Sequence, residues 1–232
     1  CIGIFGPNSR KFLTFLFGDF FSKENFAFSR GKYLNIFNTK VWFQRLSFVG
    51  ELGWEIYIPI KKTNIIFDTI NKLGKKFNLT YAGMHTLDIL RLEKKFLHWG
   101  HDITSENNPF EAGLSFAVDF KKGDDFIGRK ALEEIRDIEP QKKLELFSLK
   151  NNFQPGKPLL LHDEPIFYNG KIVGSTTSSN YSFCYKKNIC LAYISGRIER
   201  YEDLFIEIEG IKYPLKHEKL PIHDPQSKKL RE

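Results

Sequence analysis

The sequence predicts an α+β protein whose last part is a small antiparallel β-barrel or sandwich. Three observations carry this reading. Helical periodicity is confined to the first 140 residues; beyond Pro140 short strand-like runs recur with turn signals between them. Asn169-Gly170, between PIFY and KIVG, is the strongest hairpin signal in the chain, because both central positions of such a turn need φ > 0.

The elements follow in order. In GPNSRKFLTFLFG, Phe12, Leu13, Leu16 and Phe17 fall at helical spacing, with Asn8 or Ser9 as N-cap and Gly18 as terminator. From Lys32 to Ile58 the pattern is β: KYLNIF, an Asn38-Thr39 turn, KVWFQRLSFV, a glycine step from Gly50 to Gly53, then WEIYI, together an antiparallel meander. Two helices are expected next, Thr63 to Leu73 and Gly83 to Lys95. In the second, Leu87, Leu90 and Lys94 lie near one face and Ile89, Leu92 and Phe96 near the next. A strand from Leu114 to Phe120 precedes a helix from Ile127 to Arg136, capped by Asp124 or Asp125. The polar run DIEPQKK marks a domain boundary, giving residues 1–140 and 141–232. Six strands then follow in ~75 residues: LELFSL, PIFY, KIVGSTT, NICLAYI, LFIEIE and IKYPLK. HDPQSKKLRE reads as a frayed or surface-hugging tail.

Composition narrows the class. Hydrophobic residues make up 41% of the chain and 23 of the 232 residues are Phe, enough apolar surface to exclude disorder as the main state. Cys1, Cys184 and Cys190 form no CxxC pair, which argues against a disulfide framework or a zinc cluster, and no metal site is expected. No uncharged apolar run of about 18 residues exists, so no membrane span is expected. The sequence is read as soluble and intracellular: cytoplasmic, or in the mitochondrial matrix if the source is eukaryotic. The net charge of +7 raises nucleic-acid binding, but basic and acidic residues alternate and no RNA-binding aromatic signature is present, so no nucleic-acid partner is expected. The chain opens on Cys1 and its single Met is Met84, so a missing start is expected.

Chemistry concentrates in a few blocks. In WEIYI, alternation puts Trp54, Ile56 and Ile58 on one face and Glu55 and Tyr57 on the other. An outward carboxylate there is by spacing an ordinary strand Glu. It is also able to accept two parallel N–H bonds from a planar amidine-like edge. In LRLEKKFLHWGHDI, His98 and His101 stand at i, i+3 without a third ligand or an HExxH frame, so they read as surface or capping histidines; Arg91 with Asp88 or Glu93 reads as a local ion pair. No GxGxxG, GxxxxGK[ST] or GxSxG occurs.

Taken together, SFVGELGWEIYIP, LRLEKKFLHWGHDIT, NPFEAGLSFAVDF, DFIGRKAL and GKIVGSTTSSNYS resemble the glycine-cleavage T-protein (aminomethyltransferase) family, from about Ile4 to the C-terminus. GELGWE and WGHDIT are most similar to the folate-binding part of dimethylglycine and sarcosine dehydrogenases. The resemblance implies the C-terminal part of a T-protein-like folate-binding domain followed by a C-terminal β-barrel. It implies tetrahydrofolate-dependent methylene transfer from a small methylated amine or its iminium, with FAD only if an upstream flavoprotein domain, fused or separate, exists. It assigns Glu55 to the pterin edge and Phe48, Trp99 and Phe28 to the pocket around it. Phe48 stands where family members often have Tyr, which keeps a stacking ring and loses a hydroxyl. Leu87 stands where an Arg is expected, and Arg91 is a weak substitute. The family's catalytic Asp is expected before residue 1. A stand-alone aminomethyltransferase, a folate-dependent demethylase and a non-catalytic folate-binding protein are the alternatives.

Overall fold

A computed structural model describes residues 1–123 and 125–232. Contacts divide the chain into two compact units, Cys1–Lys94 with His223–Glu232, and Lys95–Ile222. This division differs from the composition break at Pro140: residues 95–140 group with the strands that follow them, and the last ten residues return to the first unit.

The first unit is a four-stranded antiparallel sheet with helices. Its strands β1 (Ile2–Phe5), β2 (Gly31–Ile36), β3 (Thr39–Gln44) and β4 (Gly53–Tyr57) lie in the order β1-β4-β3-β2. The β2–β4 meander is as expected, while β1 is an added edge strand. The β2–β3 turn sits one residue earlier than predicted, at Phe37 and Asn38, which both have positive φ, so Thr39 already belongs to β3. Helix α1 (Ser9–Phe17) ends at Gly18, whose φ of 74° gives the left-handed exit that glycine makes at no steric cost. Helices α2 (Thr63–Gly74) and α3 (Met84–Glu93) complete the expected set.

Phenylalanine abundance has a structural use here. Phe12, Phe21, Phe26, Phe43 and Trp54 are all buried. Their rings meet edge-on or tilted: Phe21 lies 5.0 Å from Phe43 and 5.6 Å from Trp54, and Phe12 lies 5.3 Å from Phe77. Such pairs add about 0.5–1.5 kcal/mol each beyond the area they bury.

Helix α3 departs from its expected packing. Its most buried residues are Arg91, Leu92 and Glu93, followed by Lys94, whereas Leu87, Ile89 and Leu90 are half-buried. The expected local ion pair of Arg91 with Asp88 is present at 2.7 Å, and it is part-buried, since the Arg91 side chain is 1% exposed. Lys94 is held by the backbone carbonyl and the carboxylate of Asp224, and the Glu93 carbonyl accepts from His223 N–H at 3.0 Å.

These bonds show that the C-terminal tail is docked. Asp224 caps helix α5 (Lys228–Arg231) through the amides of Lys228 and Lys229, and Leu230 is buried. Arg10 and Arg45 donate to the carbonyls of Glu232 and Arg231, at 2.9 and 3.1 Å.

In the second unit, helix α4 (Arg129–Ile135) is present. Its N-cap is Gly128 at φ 87° rather than an aspartate; Asp125 instead accepts from the Phe126 amide, and Asp124 lies outside the described residues. The strand expected over 114–120 is a 3-10 turn at Ser115–Ala117. No strand pairs with it among the described residues, and Phe116 is 84% exposed. Strands β5 (Lys142–Leu149), β6 (Pro165–Tyr168), β7 (Lys171–Ser182), β8 (Lys187–Ser195), β9 (Phe205–Ile208) and β10 (Ile211–His217) close an antiparallel barrel in the order β10-β5-β8-β7-β6-β9. All six expected strands are present, and Asn169 and Gly170 both have positive φ.

Candidate functional site

The outer face of the first unit's sheet carries the chemistry. In β4, Trp54 and Ile56 are fully buried while Glu55 is half-buried and Tyr57 is 47% exposed, so the predicted alternation holds. Register then fixes what surrounds Glu55. One row across the sheet reads Gly31, Gln44, Glu55, Gly3; the next reads Tyr33, Trp42, Tyr57; and Phe5 pairs with Gly53 on the other side.

The glycines in these rows make room for rings. A Cβ on Gly31 would lie 2.0 Å from the Trp42 ring, one on Gly53 2.2 Å from the Phe5 ring, and one on Gly3 2.3 Å from that same ring. The Trp42 and Phe5 rings therefore occupy the space that a side chain at these glycines would fill, at the β2 and β1 ends of the sheet. Between them stands the Gln44–Glu55 pair. Tyr33 meets Trp42 at 4.7 Å, extending the aromatic row.

Hydrogen bonds orient the polar groups. Tyr57 O–H donates to Glu55 Oε2 at 2.7 Å, and Trp42 Nε1–H donates to Gln44 Oε1 at 3.0 Å. The hydrogen bond to Glu55 raises the Tyr57 phenol above its ordinary value, and slight burial and the carboxylate charge add to this. The protonated phenol is thus the form favoured by folding. Its contribution is complete below about pH 10 and is lost as pH rises through the raised value. In a 13C-tyrosine NMR titration, the signal removed by Tyr57→Phe should ionise above the usual range, and Glu55→Ala should return it there. An ordinary Tyr57 titration in the native protein would disprove the hydrogen bond.

A second acid in the same block has a different task. Glu51 pairs with His223 at 2.8 Å and Lys229 at 3.4 Å, tying the β3–β4 turn to the docked tail. Gly50 at φ 75° lets that turn pass close to Lys94, whose side-chain carbons a Cβ would approach to 3.0 Å. The two glutamates of GELGWE thus divide into one that anchors the loop and one that faces outward.

Phe48 lies half-buried in the β3–β4 turn and Phe28 half-buried in the turn before β2. Ser29 N–H to Arg45 O and Arg45 N–H to Arg30 O, at 3.1 and 2.8 Å, join these two segments. Trp99 belongs to the second unit, where it is 67% exposed and its backbone bridges to Ile103. Close by in sequence, Asp102 is buried, accepting from His98 N–H at 2.8 Å and from Thr177 O–H at 2.6 Å. Thr177 is the extra residue of a β-bulge in β7, a device that re-aims a side chain. The WGHDIT and TTSS blocks are therefore joined by Asp102, and the His98 and His101 rings meet tilted, with centroids 4.6 Å apart. Sequence reasoning passed over Phe5, Trp42 and Gln44. The alternation in KVWFQ already set Trp42 and Gln44 on one face; what it lacked was the register that brings Gln44 opposite Glu55.

A helix-bearing antiparallel sheet unit and a closed six-stranded barrel make this a two-unit α+β protein. The fold matches the crystal structure of glycine cleavage system aminomethyltransferase T from Bartonella henselae with a TM-score of 0.74 at 24% identity, over 87% of this chain and 54% of that one. Residues 1–122 match the GCVT N-terminal domain and residues 143–224 the glycine cleavage T-protein C-terminal barrel domain. The chain belongs to the glycine cleavage T-protein family. It is 33% identical over 232 residues to human mitochondrial dimethylglycine dehydrogenase, covering 99% of this chain and 26% of the relative. It is 36% identical over 150 residues to an aminomethyltransferase of Symbiobacterium thermophilum, covering 65% of this chain and 39% of the relative. The chain thus spans only a quarter to two-fifths of the length of these relatives.

Proposed function

We propose that this chain is the folate-binding, one-carbon-transferring part of a dimethylglycine or sarcosine dehydrogenase-like enzyme. The observation that carries the reading is the outward Glu55 carboxylate: Oε2 is oriented by Tyr57, Oε1 has no partner among the described residues, and aromatic rings flank both sides. A carboxylate so placed suits two parallel N–H donors on a planar edge, which the pterin of tetrahydrofolate supplies. When bound, tetrahydrofolate would supply the nucleophilic nitrogen that takes up a methylene equivalent from the iminium of a small methylated amine, the two-electron oxidation of amine to iminium belonging to the FAD of a flavoprotein domain, and the demethylated amine would leave.

This chain's own residues orient and enclose. Glu55 fixes the heterocycle, Tyr57 fixes Glu55, and Trp42 and Tyr33 offer ring faces for stacking. Phe48 and Phe28 are assigned as further pocket walls within the first unit. Positioning a nucleophile next to a cationic carbon is where most of the rate advantage of such a site would arise. No residue of this chain is assigned as the catalytic Asp. A flavoprotein partner domain carrying FAD is part of the proposal through the dehydrogenase relative. The domains are read as 1–140, folate-binding, and 141–232, barrel; cytoplasmic placement, or the matrix in a eukaryote, goes with them. The Symbiobacterium relative supports a second reading, in which the methylene arrives as an aminomethyl group.

Titration with 5-formyltetrahydrofolate, followed by Trp fluorescence, tests the reading. Saturable quenching is expected. Because the chain carries +7, a polyglutamylated folate should bind more tightly than the monoglutamate, and more so at low salt. Absence of binding to any folate would overturn the assignment.

A further inference from the structure

We propose that Gln44 is a specificity-determining residue of this face: its NH2 group reads a carbonyl oxygen adjoining the N–H pair that Glu55 accepts, so the face selects a 2-amino-4-oxo heterocycle over a 2,4-diamino one. The inference rests on the folate reading above and deepens it.

Gln44 and Glu55 are direct partners across β3 and β4, which sets their Cα atoms about 5 Å apart with both side chains on one face. The amide has one chemically allowed orientation. Indole Nε1–H is only a donor, so the Gln44 atom 3.0 Å from it is the carbonyl oxygen. The NH2 group, with two donors, is left without a partner among the described residues. Gly31 makes this arrangement fit, since a Cβ there would lie 2.7 Å from Gln44 Oε1 as well as on the Trp42 ring. Trp42 thus turns Gln44 into a donor whose sense is fixed.

Beside it, the Glu55 carboxylate only accepts. Together the two side chains present acceptor, acceptor, donor. The complementary ligand edge is donor, donor, acceptor: an exocyclic amine, a ring N–H and a carbonyl oxygen in sequence. A 2-amino-4-oxopteridine carries that order. A 2,4-diaminopteridine has a bare ring nitrogen between two amines, so it turns an acceptor toward the Glu55 carboxylate and an amine, donor to donor, toward the Gln44 NH2 group.

Folic acid and its 4-amino analogue aminopterin test this by fluorescence titration of the full chain. Gln44→Leu should weaken folic acid about tenfold, the equivalent of one hydrogen bond, and leave aminopterin within about twofold. Gln44→Glu keeps an acceptor for Trp42 but removes the donors, and should likewise weaken folic acid selectively, so a misfolded leucine variant does not decide the matter. Equal losses for both ligands in both variants, or no loss for folic acid in either, would overturn the inference. Glu55→Ala separates the two levels. If it abolishes folic acid binding while both Gln44 variants bind both ligands normally, the folate site stands and the role of Gln44 falls. If native protein binds neither ligand, both fall.

Discussion

Glu55→Ala is expected to reduce affinity for reduced folates by on the order of 100-fold, with the protein still folded. Two charge-assisted hydrogen bonds at one carboxylate contribute about 3 kcal/mol to binding. The fold has little to lose, because the side chain faces outward and Tyr57 is its one hydrogen-bond partner among the described residues. Global stability should change by less than about 1 kcal/mol. Parallel calorimetric binding and thermal unfolding measurements check both halves. A folded Glu55→Ala protein with native folate affinity would remove Glu55 from the site.

Arg45→Ala should destabilise the first unit by about 3 kcal/mol. Arg45 is 2% exposed and donates to the carbonyls of Phe26, at 2.7 Å, and Arg231, at 3.1 Å, with its guanidinium 5.7 Å from the Trp54 ring centre. Burial, with the charge of Arg10 adding, pushes its pKa down to about 10, so the cation is held at a desolvation cost and its hydrogen bonds offset that cost. Alanine leaves two carbonyls without this donor and a void against Trp54. Arg45→Met keeps the apolar stem and should recover part of the loss. Urea unfolding followed by Trp fluorescence measures this; an alanine variant within 0.5 kcal/mol (roughly the range of ordinary surface substitutions) would mean that neither the carbonyls nor the packing depend on Arg45.

Sequence reading found what local pattern determines. Strand alternation placed Glu55 and Tyr57 on the open face, and the Asn169-Gly170 turn and the six strand runs gave the barrel its elements. Ring closure and strand order in that barrel depend on pairings between distant segments, which periodicity does not encode. The failures share that cause. Leu114 to Phe120 alternates like a strand but has no strand to pair with among the described residues. The Arg91–Asp88 pair was legible from its spacing, but the burial of Lys94 was not, because Asp224, which meets it, lies 130 positions away. Gln44 gave no signal as a site residue until its partner across the sheet was known.

The docked tail also sets an order of assembly. Arg45 waits for a carbonyl 186 positions later and Arg10 for one 222 positions later, whereas every barrel strand finds its partners within residues 142–217. On a ribosome releasing residues from the N-terminus onward, the barrel is complete before the first unit receives its last segment. The first unit is therefore interrupted by the second, and the loop bearing Glu51 acquires its His223 and Lys229 partners only when synthesis has passed the barrel. A nascent chain stopped at residue 222 would hold a finished barrel while Arg45 in the first unit still lacked its Arg231 acceptor.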